Sequence, residues 1–293
     1  MEELHDLVYC LAASPNFKKD GLIFVAKQSG LYRSTDGGKT WKDAYAILKL
    51  NASLPTTFVA LATAGKTTYV FACAEGKVLR SLDVGKTWEA ADLESPAPQV
   101  TALVASPDFA QDGTILAATV QDGIFRSIDR GVSWADCNFG LYDPNINALS
   151  FIDAQTFVCG TQSGVFISAN AGQSWRDLDF PMNCAPVLSL AVSVDKAIYA
   201  GMQDAGLWRS RDKGKTWEQV NAGAVEHILI DPNGKILIVR DGELLLSKDG
   251  GKTWRVRAGL ETDSAISSLI APLGLDRGDP ILIGLSNGEI VTL

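Results

Sequence analysis

The chain has 293 residues, with 26 Lys and Arg against 34 Asp and Glu, a formal net charge of −8 and 46 % apolar residues. That balance is too apolar for a disordered chain. It also lacks the basic stripe that nonspecific nucleic-acid binding or an anionic membrane surface requires.

The opening MEELHDLVYC carries acids where a secretion leader carries bases, and no apolar run reaches the ~20 residues of a membrane helix, so the expectation is a cytoplasmic protein without a membrane span. From there the sequence repeats itself. A run at 7–13 is followed by a small and β-branched run at 22–26, an alternating run at 30–34, and then STDGGKTW ending at Trp41. The same order returns five times. First runs lie at 57–62, 100–105, 146–151, 187–192 and 225–230, and second runs at 68–72, 114–119, 156–160, 197–201 and 235–239. Third runs at 77–81, 123–127, 164–168, 206–210 and 243–247 lead into SLDVGKTW (Trp88), SIDRGVSW (Trp134), SANAGQSW (Trp175), SRDKGKTW (Trp217) and SKDGGKTW (Trp254). After the sixth copy, runs at 266–271, 281–285 and 289–293 match the first three of a unit, with the motif missing.

Six of the seven tryptophans close this motif, at spacings of 47, 46, 41, 42 and 37 residues. Its chemistry is that of a tight hairpin. The acid (Asp36, Asp83, Asp129, Asp212 and Asp249, with Asn170 in the fourth copy) can accept from the backbone N–H groups just ahead of it. The glycine two residues on supplies a positive φ, and the tryptophan opens a fourth strand and packs under the turn. Four short antiparallel strands cannot bury both faces of a sheet alone, and stacking such units radially gives a β-propeller. The expected fold is therefore all-β, a seven-bladed β-propeller spanning residues 1–293 as one domain. Its last blade is three-stranded or completed by a segment near residues 2–4. Six blades with an appended hairpin is the alternative.

The motif S-x-D-x-G-x-T-W is identified as the Asp-box, or BNR repeat, of sialidases, xyloglucanases, sortilin-type receptors and photosystem II stability/assembly factors. The segments SPNFKKDG at 14–21 and SPDFAQDG at 106–113 resemble the first-to-second strand connections of bacterial assembly-factor-like propellers, and the chain looks most similar to that group. The resemblance implies that the boxes are structural turns at the blade periphery, away from the functional face.

Catalytic patterns are sparse. The recurrent arginines Arg33, Arg80, Arg126 and Arg209 all sit beside a box serine, a structural position. The two histidines, His5 and His227, accompany no G-x-S-x-G elbow, and His227 is expected near the channel with its hydrogen bonds satisfied. The Gly65 to Thr67 triplet lacks the earlier glycine of a phosphate loop, because Ala60 stands there. Cys10, Cys73, Cys137, Cys159 and Cys184 show no C-x-x-C spacing, so no metal site and no cofactor is expected, and Cys137 and Cys184 fall in loops of adjacent blades.

In a propeller the second-to-third turns and the inter-blade links share the face opposite the boxes. The turns carry Gln28, Glu75, Gln121, Gln162 and Gln203, a polar ring near the channel mouth. The links at 89–98, 135–144 and 176–186 hold Glu89, Asp92, Glu94, Asp136, Asp143, Asp177 and Asp179 against one base, Arg176. Phe139, Tyr142, Phe180 and Met182 lie among these charges, and aromatics in an acidic rim are what a protein-binding patch presents. The reading is a non-enzymatic scaffold that holds a protein or peptide with a basic segment, Asp143 and Asp179 being the charges expected to meet it. The alternative is a carbohydrate-active hydrolase or lyase at the channel mouth, which needs two facing carboxylates or converging arginines.

Overall fold

Each of these runs becomes a strand because it is short, rich in β-branched and aromatic residues, and bounded by Gly, Asp or Pro turns. The structure, a computed structural model, describes residues 6–93, 98–180, 186–260 and 262–293. Among these residues the strands form seven antiparallel sheets, six of four strands and one of three, all in simple chain order. Blade 1 is Val8–Ala13, Ile23–Lys27, Gly30–Ser34 and Lys42–Asp43. The innermost strands of blades 2 to 7 are Thr56–Ala64, Gln99–Ala105, Ile146–Asp153, Val187–Val192, His227–Ile230 and Ile266–Ile270.

The ring closes between blades 7 and 1. Leu11 N donates to Ser268 Oγ at 2.8 Å and Lys27 Nζ to Gly288 O at 2.8 Å. Gly284 lies so close to Val8 that a Cβ on it would sit 2.4 Å from Val8 Cγ1. The last sheet is therefore a true seventh blade, not an appended hairpin. Among the described residues it has three strands, and residues 2–4 lie outside them. The core is divided into apolar walls between neighbouring blades; Leu22, Phe24 and Leu31 of blade 1, for example, meet Val59, Val70 and Ala72 of blade 2. No helix among the described residues is long and apolar enough to cross a membrane.

Each box folds as its residues dictate. Ser81 Oγ takes the Gly85 N–H at 2.7 Å and donates to Asp83 Oδ1 at 2.8 Å, which also accepts from Lys86 N and Thr87 N at 3.0 and 2.8 Å. Thr87 Oγ1 donates to Asp83 Oδ2 at 2.7 Å. In the fourth box the amide keeps the geometry: Asn170 Nδ2 donates to Ser174 Oγ at 2.9 Å, reversing that one bond. The hydrogen bonds hold the carboxyls far below their usual range. For Asp212 the Thr216 hydroxyl leads. For Asp83 and Asp129 slight burial pushes upward and the bonds from Thr87 and Ser133 outweigh it. All three end at about 2, and Asp36 and Asp249, led by the Thr40 and Thr253 hydroxyls, lie lower still.

The expected glycine does adopt a positive φ, 78° at Gly85, but so does the residue before it: Val84 at 63°, Arg130 at 60°, Ala171 at 57° and Lys213 at 60°. Two successive left-handed residues turn the carbonyl of the first outward, and the neighbouring blade uses it. Arg33 Nη1 donates to Val84 O at 2.6 Å and Arg80 Nη1 to Arg130 O at 3.3 Å, while Arg209 Nη1 reaches Gly250 O. The arginine beside each of these box serines thus clasps the box of the next blade. Tryptophans reach the other way. Trp88 Nε1 donates to Ala44 O at 2.9 Å, Trp175 Nε1 to Cys137 O at 2.6 Å and Trp254 Nε1 to Val220 O at 2.9 Å, each in the preceding blade. The box is a stitch between blades as well as a hairpin turn.

The two SP-x-F segments form single helical turns, Phe17–Asp20 and Phe109–Asp112. Asp20 and Asp112 each close the turn back on Ser14 Oγ and Ser106 Oγ, at 2.7 and 2.6 Å, and Gly21 O and Gly113 O then accept from the box backbone at Gly37 and Arg130, both at 3.0 Å.

Candidate functional site

Two surfaces gather chemistry: the central channel and the outer flank of blades 3 and 4.

The channel is a cavity of about 520 Å³ lined by the innermost strands of all seven blades. In six of those strands the register skips one residue at the same level: Tyr9, Thr57, Thr101, Asn147, Leu188 and Ser267. In blade 6 the residue at that level is Glu226, just ahead of the first paired residue His227. All seven line the cavity. A bulge turns a side chain that would otherwise follow the pleat, and here it aims one residue per blade into the lumen. Several of these groups also hold the blades together. Thr101 Oγ1 donates to Ile146 O at 2.7 Å and Asn147 Nδ2 to Val187 O at 3.1 Å. His227 Nε2 lies 3.0 Å from Ile266 O, as a satisfied histidine, and burial pushes its pKa down, which favours the neutral ring.

Of the glutamines expected at the mouth, Gln121, Gln162 and Gln203 are all exposed. Gln162 reaches the ring, its Nε2 3.3 Å from Asn147 Oδ1. Asp143 turns inward instead of facing a partner. It is 9 % exposed, and it accepts from Ser163 N at 2.8 Å, Ser163 Oγ at 2.7 Å and Asn145 N at 3.2 Å, tying the inter-blade link to the second-to-third turn. Burial works to raise its pKa, but these bonds outweigh it and hold the carboxyl below its usual range. Phe180 is likewise buried, edge-on to Trp208 and Trp217 at 5.8 and 4.7 Å, so it plugs the blade 4–5 junction. Met182, Cys184 and Glu94 lie outside the described residues.

Phe139 and Tyr142 do face solvent, at 80 % and 68 % exposure, as do two box residues of blade 3, Ile128 at 63 % and Val132 at 56 %. Phe139 and Ile128 line a recess of about 380 Å³ with Asp136 and with Gly172 and Gln173 of the next box. This places the patch on the outer flank, toward the boxes, not at the channel mouth. The reason lies in the link itself: Trp175 N donates to Phe139 O at 2.8 Å and Gly140 packs against the Trp175 carbonyl, so the chain runs along the outer strand of blade 4. Tyr142 stacks edge-on against Phe166 at 4.7 Å, and its hydroxyl lies 3.4 Å from Asp177 Oδ2. Asp136, which lines the recess, and Asp177, which meets Tyr142, are exposed beside the patch, and Asp179 is exposed two residues further on. Arg126 lines the recess with its Nε buried and without a hydrogen-bond partner.

Reading the boxes one by one does not single out Ile128 and Val132. Comparing them singles out Val132, whose place is held by Lys39, Lys86, Lys215 and Lys252 in four other copies, while the place of Ile128 is apolar again in Leu82.

Among the described residues Cys10, Cys73, Cys137 and Cys159 are free thiols, all but the half-buried Cys137 being buried. Burial pushes Cys10 up to about 12, and Cys73 and Cys159 are raised for the same reason. Among the described residues no group of His, Cys, Asp and Glu is placed to hold a metal ion.

The sequence matches the BNR/Asp-box repeat at residues 32–43 and the BNR-Asp box repeat at 207–220. No curated protein matches it. Among solved structures, the GH74 xyloglucanase from Xanthomonas campestris is similar with a TM-score of 0.73 and 20 % identity, over 99 % of this chain and 52 % of that one. YCF48 bound to D1 peptide is similar with a TM-score of 0.72 and 16 % identity, over 99 % of this chain and 92 % of that one. YCF48 from Cyanidioschyzon merolae gives 0.69 and 14 %, over 100 % and 97 %. The chain thus spans about half the length of the xyloglucanase and nearly all of the YCF48 chains, and at these identities the likeness is one of fold. With six box hairpins closing six of seven blades and repeat matches on two of them, the chain is a seven-bladed β-propeller that carries Asp-box (BNR) repeats.

Proposed function

We propose that the protein is a non-enzymatic binding scaffold that holds a protein or peptide on the flank of blades 3 and 4. The observation that carries this reading is the exposed quartet Ile128, Val132, Phe139 and Tyr142. Side chains of this kind are normally scattered singly on a soluble surface, and their grouping marks an interaction site. The partner's chemistry follows from the surround. An apolar side chain enters the recess beside Phe139. Basic residues on either side meet Asp136, Asp177 and Asp179. Arg126 lines the recess beside them. The rigid blades present this surface with little rearrangement. YCF48, which shares the fold, binds a D1 peptide, which supports a peptide as the kind of ligand such a propeller takes. Glycoside hydrolysis in the channel would need a second carboxylate facing Glu226, the one carboxylate among the described residues that line it.

The test is selection of a displayed random peptide library on the purified protein. The expected peptides carry an aromatic or aliphatic residue flanked by Lys or Arg, and they bind the Phe139→Ser, Tyr142→Ser double variant at least about tenfold more weakly. Peptides without that pattern, or equal binding to the double variant, would overturn the reading.

A further inference from the structure

Independently of the flank, we infer that the channel mouth is a binding site for a primary ammonium carried on an alkyl stem.

The seven bulge-level residues converge on one lumen, and Glu226 is the one charged side chain among the described residues that line it. Among the described residues that line the cavity no Lys or Arg faces Glu226. The histidine beside it brings no counter-charge, since its Nε2 lies on Ile266 O at 3.0 Å in a buried position that favours the neutral ring. A carboxylate without a partner in a walled funnel concentrates its field on whatever enters.

The neutral members of the ring add oxygen acceptors beside the carboxylate. Thr101 spends its proton on Ile146 O and Asn147 spends one of its two amide N–H groups on Val187 O, both outward into the next blade. Both side chains keep oxygen lone pairs, although Asn147 Oδ1 already accepts from Gln162 Nε2 at 3.3 Å. Tyr9, Thr57, Gln99 and Ser189 add further polar groups to the lining that can accept as well as donate. An ammonium, with three donors and no acceptor, complements the Glu226 carboxylate and these oxygens, whereas an anion meets the repulsion of the carboxylate. Phe58, Val104, Leu188 and Leu190 supply apolar wall for the methylenes behind the charge. The same chemistry arrives on a lysine side chain of a polypeptide or on a free diamine.

The probes are Nα-acetyl-lysine amide, cadaverine and the neutral isostere Nα-acetyl-norleucine amide, titrated by ligand-detected NMR and calorimetry at low and high salt. The expected result is salt-sensitive binding of an ammonium probe, no binding of the norleucine compound, and about a tenfold loss in Glu226→Gln. Glu226 is exposed, so this variant keeps its fold, checked by an unchanged Tm. Capped lysine binding at least as tightly as cadaverine assigns a polypeptide as the source of the cation; tighter cadaverine assigns a free diamine. No binding by either ammonium probe, equal binding of the norleucine compound, or equal affinity in Glu226→Gln would overturn the site.

Discussion

Two box tryptophans in the same motif position offer a controlled comparison. Trp134 and Trp175 are each 5 % exposed. Trp175 Nε1 donates to Cys137 O at 2.6 Å, whereas Trp134 Nε1 is buried without a partner. Replacing either by Phe keeps an aromatic ring and removes part of its volume, a shared cost of about 1–2 kcal/mol. Only Trp175→Phe also strands the Cys137 carbonyl; Trp134→Phe instead relieves an unsatisfied donor. A hydrogen bond lost with one partner left buried costs about 1–3 kcal/mol. Trp175→Phe should therefore be the more damaging by that amount, a Tm about 2–6 °C lower than that of Trp134→Phe at this chain length. Thermal unfolding followed by circular dichroism measures the difference without relying on the altered fluorophores. Equal losses, or a larger loss in Trp134→Phe, would refute the idea that the indole N–H stitches blade 4 to blade 3.

The box carboxyls predict an acid limb. Asp83, Asp129 and Asp212 sit at about 2 in the fold against 3.8 unfolded, so the unfolded chain takes up protons first as pH falls; their stabilisation is complete above pH ~4 and is lost between pH ~4 and ~2. Tm measured across that range should fall less in the Asp83→Asn, Asp129→Asn, Asp212→Asn triple variant than in the wild type, and parallel curves would contradict this. The natural Asn170 box shows that the amide fits the turn. Asp143→Ala strands the Ser163 N–H and hydroxyl and should cost about 1–3 kcal/mol. The exposed Asp179→Ala should stay within about 0.5 kcal/mol. Denaturant midpoints of the two variants separate a structural carboxylate from a surface one.

The blades were legible because the box repeats a local chemistry: Ser, Asp and Gly bond to one another within five residues, so each copy announces its hairpin. The inter-blade stitch was not, because the partner of Trp88 is the Ala44 carbonyl, 44 residues away, and no local pattern marks it. The left-handed Val84 was hidden for a related reason. A β-branched residue there works against its own preference, by about 1–2 kcal/mol, and only the Arg33 bond across the blade gap gives that conformation a use. The same limit divides the expected site. Phe139 and Phe180 stand at comparable places after their boxes, yet Phe180 fills the space between Trp208 and Trp217 while Phe139 finds its junction already filled by Trp175 and Leu141. Asp143 reads as surface charge until Ser163, 20 residues on, is seen to fold over it. The bulge ring needs seven registers compared at one level, which strand ranges alone do not provide.

The claim on which the functional reading rests is that a partner sits on the flank of blades 3 and 4. Site-specific photo-crosslinking tests it most directly. A benzophenone amino acid is placed at Phe139 in one sample and at Val194 of blade 5, an apolar control 73 % exposed, in another. Both are irradiated with a library-selected peptide. The expected result is a crosslink at position 139 that unlabelled peptide competes away, and none at 194. Crosslinking at 194 alone, or equally at both, would contradict the assignment.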